Sequence, residues 1–171
     1  MEKKDLKPAG VFKYFEEICQ VPRPSKKEEK IIAYLKAFGA KHNLETNVDE
    51  AGNVLIKKPA TPGKENLQTV ILQSHIDMVC EKNNDVQHDF LTDPIETEID
   101  GEWLKAKGTT LGADNGIGVA TELAILADDS IEHGPLECLF TVDEETGLTG
   151  AFELKEGFMS GDILLNLDSE D

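Results

Sequence analysis

Apolar residues recur at helical spacing in two segments near the start of the chain. The first stripe consists of Val11, Phe12, Phe15, Ile18 and Cys19. VPRP (21–24) ends this stripe, because proline breaks a helix interior. The second stripe consists of Ile31, Leu35 and Phe38. Ser25 and Glu28 form a capping-box pattern before it, so we predict a second amphipathic helix that begins there and ends at Gly39.

Further along the chain the hydrophobic period changes to that of strands. Strand-length runs rich in β-branched residues occupy 44–48, 53–57 and 69–75. The D-G step at 100–101, between alternating segments, predicts a β-hairpin. GIGVATELAILA (116–127) predicts a buried helix, and PLECLFTV (135–142) and DILLNLD (162–168) predict two buried strands. Because strands alternate with helices, we predict an α/β fold with a mostly parallel mixed sheet that is flanked by helices on both faces.

Composition and charge narrow the possible partners and the compartment. The 171 residues, 39% of them hydrophobic, suffice for one domain with a sizeable core. The 34 acidic against 17 basic residues give a formal net charge of -17, which argues against nucleic acid and anionic membranes as partners. Three separated cysteines without a C-x-x-C pair fit a reducing compartment, and no signal peptide or membrane-length apolar run is evident. We therefore predict a cytoplasmic protein.

Side chains that can bind metal ions follow three predicted core strands and precede the buried helix. They are His75, Asp77, Asp114, Glu144, Glu145 and Asp168. In open α/β sheets the ligand crevice lies outside the carboxyl ends of the strands, so these segments can converge despite their separation in sequence. So many ionised carboxylates repel one another at short range, and a cation must balance them. One imidazole with several carboxylates suits zinc, manganese or cobalt, and the number of acids suggests two ions.

Each of these motifs is weak when it is taken alone. H-x-D is commonly an incidental surface pair, and D-E-E is commonly a solvated helix start. Asp114 among glycines is by default a turn residue or an N-cap. All three ordinary interpretations would have to hold together, and each would have to explain why an acid closes an apolar strand or precedes a buried helix. Together they are improbable.

Four segments carry a family resemblance: SHIDMVCEKN, KGTTLGADNGIGVA, FTVDEETGLTGA and LLNLDSED. In order and spacing they resemble the aminoacyl-histidine dipeptidases (peptidase D, carnosine-hydrolysing type), which belong to the di-zinc aminopeptidase, carboxypeptidase and aminoacylase group. The N-G-I-G continuation favours the dipeptidase branch over tripeptidases, whose loop looks more like G-A-D-D-K. The resemblance runs through the whole chain and implies a zinc-exopeptidase-like catalytic domain.

The resemblance also implies a role for each candidate residue. Two zinc ions, replaceable by manganese or cobalt, would be bridged by Asp114. His75 and Asp168 would complete the protein ligands of one ion, and Glu145 would bind the other. Relatives look to have a cis peptide bond after the bridging aspartate, so we predict a cis or otherwise unusual Asp114–Asn115 bond.

Two further residues would be catalytic. Asp77 would orient His75 by contacting the ring nitrogen that does not bind metal, as carboxylates next to metal-binding histidines commonly do. Glu144 would be the general base, taking a proton from the attacking water and passing it to the leaving amine. Adjacent glutamates at a strand end can diverge, which lets Glu145 bind metal while Glu144 moves protons.

Relatives in this group are much longer than 171 residues. We therefore expect residues 1–171 to be the N-terminal part of the catalytic metallopeptidase domain, without the lid or dimerisation domain and without the C-terminal catalytic part that supplies a last metal-binding histidine. His42, His88 and His133 lie outside any matching motif and are not assigned that role. The full-length parent is expected to be a homodimer, and the chain by itself is expected to be inactive.

The function predicted from the sequence is metal-dependent hydrolysis of dipeptides of the Xaa-His or β-alanyl-histidine type. An aminoacylase or a tripeptidase with the same two-metal site is one alternative. A non-catalytic cation-binding or scaffold module is another, although storage of a cation needs ligands and gives no role to a spare base such as Glu144.

Overall fold

The computed structural model describes residues 2–168. After a 3-10 turn at Lys3–Asp5, the helices are α1 (Ala9–Cys19), α2 (Glu29–Lys41), α3 (Ala113–Ala127) and α4 (Thr149–Phe152). The strands are β1 (Glu45–Val48), β2 (Val54–Lys58), β3 (Val70–His75), β4 (Thr97–Asp100), β5 (Trp103–Ala106), β6 (Leu136–Thr141) and β7 (Ile163–Asn166). No helix in this part of the chain combines the length and the apolar character that a membrane span requires.

Five strands form one mixed sheet in the order β1-β2-β6-β3-β7. β3 pairs in parallel with both β6 and β7, whereas β2 runs antiparallel to its neighbours β1 and β6. The three parallel strands therefore end at the same edge of the sheet, with β3 in the middle. The fold class predicted from the sequence, a mixed sheet flanked by helices, is confirmed, and β4 and β5 form the predicted hairpin with Asp100 opposite Trp103.

The main core lies between one face of the sheet and helices α1, α2 and α3. It includes all of the predicted second stripe (Ile31, Leu35 and Phe38) together with Phe15, Ile18, Leu123 and Phe140. Burial of such side chains stabilises the fold by about 1.5–3 kcal/mol each. This packing holds β3 and β6 against the body of α3.

The opposite face of the sheet is less covered than the sequence suggests. A small cluster of Leu55, Ile71 and Leu139 packs there against Leu154, Phe158 and Met159. The prediction that β7 is a buried strand is wrong, because all four of its residues are exposed. Its apolar composition resembles that of β6, but β6 lies between two strands and under the helices, whereas β7 is the last strand of the described sheet.

The predicted capping box at the start of α2 is also wrong. The helix begins after Glu28, and no side chain caps it. Ser25 instead donates its hydroxyl to Asp77 Oδ2 at 2.7 Å. Glu28 Oε1 accepts the backbone N–H groups of Lys26 at 2.9 Å and Asp143 at 3.1 Å. The contacts of Ser25 with Asp77 and of Glu28 with Asp143 thus join distant segments in place of a local cap.

One carboxyl group is buried in the core, away from the strand ends. Glu122 on α3 is 0% exposed, and its polar neighbours are Ser74 and Cys138. No hydrogen bond of normal geometry reaches either carboxyl oxygen of Glu122 within the described chain. Burial raises the pKa of Glu122 well above its ordinary value of 4.5, with only partial opposition from Ser74 and Cys138.

We expect Glu122→Gln to stabilise the protein at alkaline pH. The folded state holds the Glu122 proton to a higher pH than the unfolded state does, so the wild type loses stability as pH rises above 4.5 through the raised pKa. A neutral amide removes this loss, so the free energy of unfolding should rise near pH 8 and change little near pH 4. Urea unfolding at both pH values measures the difference. A gain that is equal at both pH values, or a gain in the exposed control Glu102→Gln, would contradict this account.

Candidate metal centre

The three parallel strands bring the candidate ligands to one edge of the sheet. His75 is the last residue of β3, the glutamate pair follows β6, and Asp168 follows β7. Asp114 lies in the first turn of α3, which packs against β3. The carboxyl ends of adjacent parallel strands share an edge, which is the physical reason that residues up to 93 positions apart meet here.

The ring of His75 is the centre of the arrangement. Its side chain is 1% exposed, and its Nε2 lies 3.0 Å from Asp114 Oδ1, 3.7 Å from Asp168 Oδ2 and 3.9 Å from Glu144 Oε2. One imidazole nitrogen thus faces three carboxylates from three different segments. By contrast the Asp114 side chain is 74% exposed, so this ligand stands at the mouth of the site.

The donor atoms fit a divalent cation. Two ligand atoms of a tetrahedral zinc ion lie about 3.4 Å apart, which follows from bond lengths of 2.0–2.1 Å. The distances around His75 Nε2 are close to that value. Two groups of three potential ligands occur here: His75 with Asp114 and Asp168, and His75 with Glu144 and Glu145. Among the described residues no such group contains both Asp114 and Glu145.

Asp77 supports the site from beneath. Its side chain is fully buried, and its Oδ1 lies 3.3 Å from His75 Nδ1, although this contact lacks the alignment of a full hydrogen bond. The backbone N–H groups of Glu144 and Glu145 also donate to Asp77, at 3.0 and 3.2 Å. A single carboxylate therefore contacts both the histidine and the backbone of the glutamate pair.

The pKa values of the site residues are shifted because the site contains several carboxylates and only one histidine. Burial by itself would lower the pKa of His75, but Asp77, Asp114 and Glu144 outweigh it and raise the pKa to about 9. Burial would likewise raise the pKa of Asp77, but the close His75 ring and the hydrogen bond from Ser25 lower it to about 2. The pKa values of Glu144 and Glu145 are raised, mainly by burial and also by neighbouring carboxylates, while His75 opposes the rise. An added cation would relieve this repulsion.

The loop that carries Asp114 has an unusual backbone. Gly112 has a φ of 68°, in the left-handed region that favours glycine, and Asp114 departs from helical geometry at a φ of -84° and a ψ of 115°. The Asp114–Asn115 peptide bond is cis, as the resemblance predicted. The side chain of Asn115 is buried, whereas that of Asp114 points out of α3 towards His75.

Sequence reasoning assigned no role in the site to three buried polar residues, Arg23, Glu28 and Asp143. Glu28 and Asp143 form a further buried acidic group with Asp77, which was predicted to belong to the site. Asp143 accepts hydrogen bonds from the hydroxyls of Thr146 and Thr149, so its oxygens are occupied by protein donors. The sequence marks Arg23 only as part of a helix-breaking segment, whereas the structure buries it, with 3% of its surface exposed. The one feature of the sequence that could have drawn attention to Arg23 is its position between two prolines, directly before the S-x-x-E pattern.

A cleft of about 400 Å³ opens beside the acidic cluster. Glu144 and Asp168 line its polar end, and Leu139, Leu154 and Met159 are among its apolar walls. Clefts of this size are typical of sites for small molecules. The acidic cluster therefore adjoins a space that a small ligand can enter.

The sequence of the chain matches a known protein family and is similar to a dipeptidase of known name. Residues 71–167 match the family described as Peptidase family M20/M25/M40. The chain is 51% identical over 170 residues to the cytosol non-specific dipeptidase of Escherichia coli (strain K12), a match that covers 99% of this chain and 35% of the relative.

Solved structures give the same result at the level of the fold. An aminoacylhistidine dipeptidase from Vibrio alginolyticus superimposes with a TM-score of 0.96 and 55% identity, over 99% of this chain and 35% of that protein. The aminopeptidase PepT from Bacillus cereus ATCC 10987 superimposes with a TM-score of 0.80 and 26% identity, over 95% of this chain and 43% of that protein. The chain thus spans about 35% of the length of the two dipeptidases.

Proposed function

Since this chain belongs to peptidase family M20/M25/M40, we propose that its full-length parent is a metal-dependent dipeptidase. The observation that carries the proposal is the placement of Asp114, Glu144 and Asp168 around one nitrogen of the buried His75. The close relatives are named as dipeptidases, and this chain is similar to them over 99% of its length.

We assign the metal ligands as follows. His75, Asp114 and Asp168 would hold one ion, and this assignment is supported by the separations of their ligand atoms. Glu145 would hold a second ion together with Asp114. Nitrogen and carboxylate donors without sulfur suit zinc, with manganese or cobalt as substitutes. Asp77 holds the His75 ring so that Nε2 faces the ions, and its contact with Nδ1 supports that role.

Glu144 is the general base in this proposal. The metal ions, when bound, would polarise the scissile carbonyl and lower the pKa of water. Glu144 then accepts a proton from the attacking water on its carboxylate and delivers it to the amine nitrogen that leaves. Its raised pKa, caused first by burial, brings the carboxylate nearer to the value that favours proton transfer at neutral pH. Its backbone N–H donates to Asp77, which anchors Glu144 beside His75.

The substrate that we propose is a dipeptide of the Xaa-His or β-alanyl-histidine type. The solved relative with 55% identity is named an aminoacylhistidine dipeptidase, which supports this specificity, whereas the relative from Escherichia coli is named non-specific. We further propose that residues 1–171 are the N-terminal part of the catalytic domain and that the full-length parent is a cytoplasmic homodimer. The cytosolic name of the relative and the three free cysteines support the compartment.

Metal analysis and a substrate panel on the full-length parent test the proposed function. We expect two zinc ions per chain and the highest kcat/KM for dipeptides, β-alanyl-histidine among them. Preference for N-acyl amino acids would indicate an aminoacylase instead, and preference for tripeptides would indicate a tripeptidase. A protein that binds cations but hydrolyses none of these substrates would be a scaffold, and the proposal would fail.

A further inference from the structure

Arg23 is a buried cation that contacts two parts of the site at once. Its Nη1 donates to the backbone carbonyl of Ile76 at 3.2 Å and to that of Asp77 at 3.1 Å. Its Nη2 donates to the carbonyl of Gly112, two residues before Asp114. The guanidinium group thus joins the end of β3 to the loop that carries Asp114, although neither segment is near Arg23 in sequence.

The glycines around Arg23 show how closely the loop fits this side chain. A Cβ atom added to Gly112 would lie 2.5 Å from Arg23 Nη2, and one added to Gly116 would lie 2.7 Å from the same nitrogen. Neither separation leaves room for a side chain while the guanidinium stays in place. The guanidinium therefore packs directly against both glycines, together with Met78 at Gly112 and Phe15 at Gly116.

A lysine could not replace this arrangement. The planar guanidinium presents several donors in a fixed fork, whereas the ammonium of lysine is a single point charge on a flexible stem. Three carbonyl oxygens in two segments need donors that point in two directions at the same time. Replacing Arg23 with lysine keeps the positive charge but removes the planar set of donors. This substitution therefore tests whether the geometry of the hydrogen bonds matters in addition to the charge.

The same N-terminal segment contacts the other parts of the site. Ser25 donates to Asp77 Oδ2, and Glu28 accepts the backbone N–H of Asp143, the residue directly before the glutamate pair. Between 23 and 28 the chain thus reaches all the segments that meet at His75, except the one that carries Asp168. These contacts replace the local cap expected for this stretch.

We propose that Arg23 is a positioning residue for the metal centre, which sets the distance between His75 at the end of β3 and Asp114 at the start of α3. Arg23 touches neither the substrate nor the ions, and it acts through the backbone of both ligand-bearing segments. The inference rests on the proposed function, because it assigns the two segments to one metal site.

The test compares Arg23→Lys with Lys58→Met in the 171-residue chain. Lys58 is the matched control, since it is also buried and donates to two backbone carbonyls, those of Ile125 and Asp128, at the far end of α3. Cobalt(II) is titrated into each variant, and the affinity and the visible absorption spectrum are recorded. We expect Arg23→Lys to bind cobalt about 10- to 100-fold more weakly with an altered spectrum. We expect Lys58→Met to have the cobalt affinity and the absorption spectrum of the wild type, even if urea unfolding shows that it loses as much stability as Arg23→Lys.

Two outcomes would overturn the inference about Arg23. One is a cobalt affinity and spectrum in Arg23→Lys that equal those of the wild type. The other is an equal loss in Lys58→Met, which would show that general destabilisation is the cause. If Arg23→Lys does not fold, NMR of the wild type decides the question: the Arg23 Nη protons should shift when zinc is added while the Lys58 ammonium protons do not, and unchanged Arg23 signals would refute the proposal.

A wild-type chain that binds no cobalt would count against the metal assignment, and the inference would then be decided without metal. Amide hydrogen exchange in 110–114 should be faster in Arg23→Lys than in the wild type and unchanged in Lys58→Met. Equal exchange in the two variants would show that Arg23 does not hold the loop.

Discussion

Replacing Glu144 with glutamine in the full-length parent is expected to lower kcat by about 10²- to 10⁴-fold, the usual contribution of a general base. Glutamine keeps the volume of the side chain but cannot accept the proton of the attacking water. The zinc content should stay at the wild-type value, because the ligands assigned above are His75, Asp114, Glu145 and Asp168. Steady-state kinetics with β-alanyl-histidine and metal analysis of the same sample measure both quantities.

Glu156→Gln is the control for this substitution, since it removes one carboxylate from an exposed position beyond the site. Its kcat should equal that of the wild type. Glu144 is also close enough to His75 and Glu145 to share an ion with them. A loss of zinc together with activity would therefore identify Glu144 as a ligand, and unchanged turnover with zinc retained would show that Glu144 is not the general base.

The 171-residue chain by itself is expected to hydrolyse dipeptides roughly 10³-fold more slowly than the full-length parent. Among the described residues, no third metal-binding side chain forms a single group with both Asp114 and Glu145. The second ion, which these two residues are proposed to bind, would therefore be weakly held. A missing ligand also leaves the carboxylates poorly balanced. Weaker metal binding costs about 10- to 100-fold, and imperfect placement of the substrate on an open surface costs about 10²-fold more.

This expectation is checked by incubating the purified chain with excess zinc, manganese or cobalt and β-alanyl-histidine. Glu144→Gln in the same chain controls for a contaminating peptidase. Turnover near that of the parent, abolished by this substitution, would show that residues 1–171 contain a complete catalytic site. Turnover that survives the substitution would come from a contaminant.

Local patterns in the sequence were sufficient for most of the elements. The stripe of Ile31, Leu35 and Phe38 predicted α2, and the D-G step predicted the β4–β5 hairpin, because both patterns depend on neighbours within a few residues. The convergence at His75 was also predictable, since the alternation of strands and helices indicated parallel strands, which end at one edge of the sheet. Their roles in binding metal and in catalysis stay predictions.

Contacts between distant segments could not be predicted in the same way. The S-x-x-E pattern at Ser25 and Glu28 obeys the local rule for a helix cap, but Ser25 bonds with Asp77, 52 positions away. Arg23 shows no periodicity that marks it as buried, and its partners Ile76 and Gly112 become neighbours only in the folded sheet. The antiparallel placement of β2 beside β6 is likewise a property of the whole sheet.

The position of β7 has a consequence for how the site opens. In the described sheet β7 pairs only with β3, and Leu164 and Leu165 remain 49% and 48% exposed. Few buried contacts therefore oppose the separation of β7 from β3. Segments with few buried contacts open at a free-energy cost that is a small fraction of that of global unfolding. Asp168 leaves His75 whenever β7 opens, while Asp114 remains attached to the core through α3. In the 171-residue chain by itself, the rate at which an ion is released from this edge would then be set by fraying of a single strand rather than by unfolding of the domain.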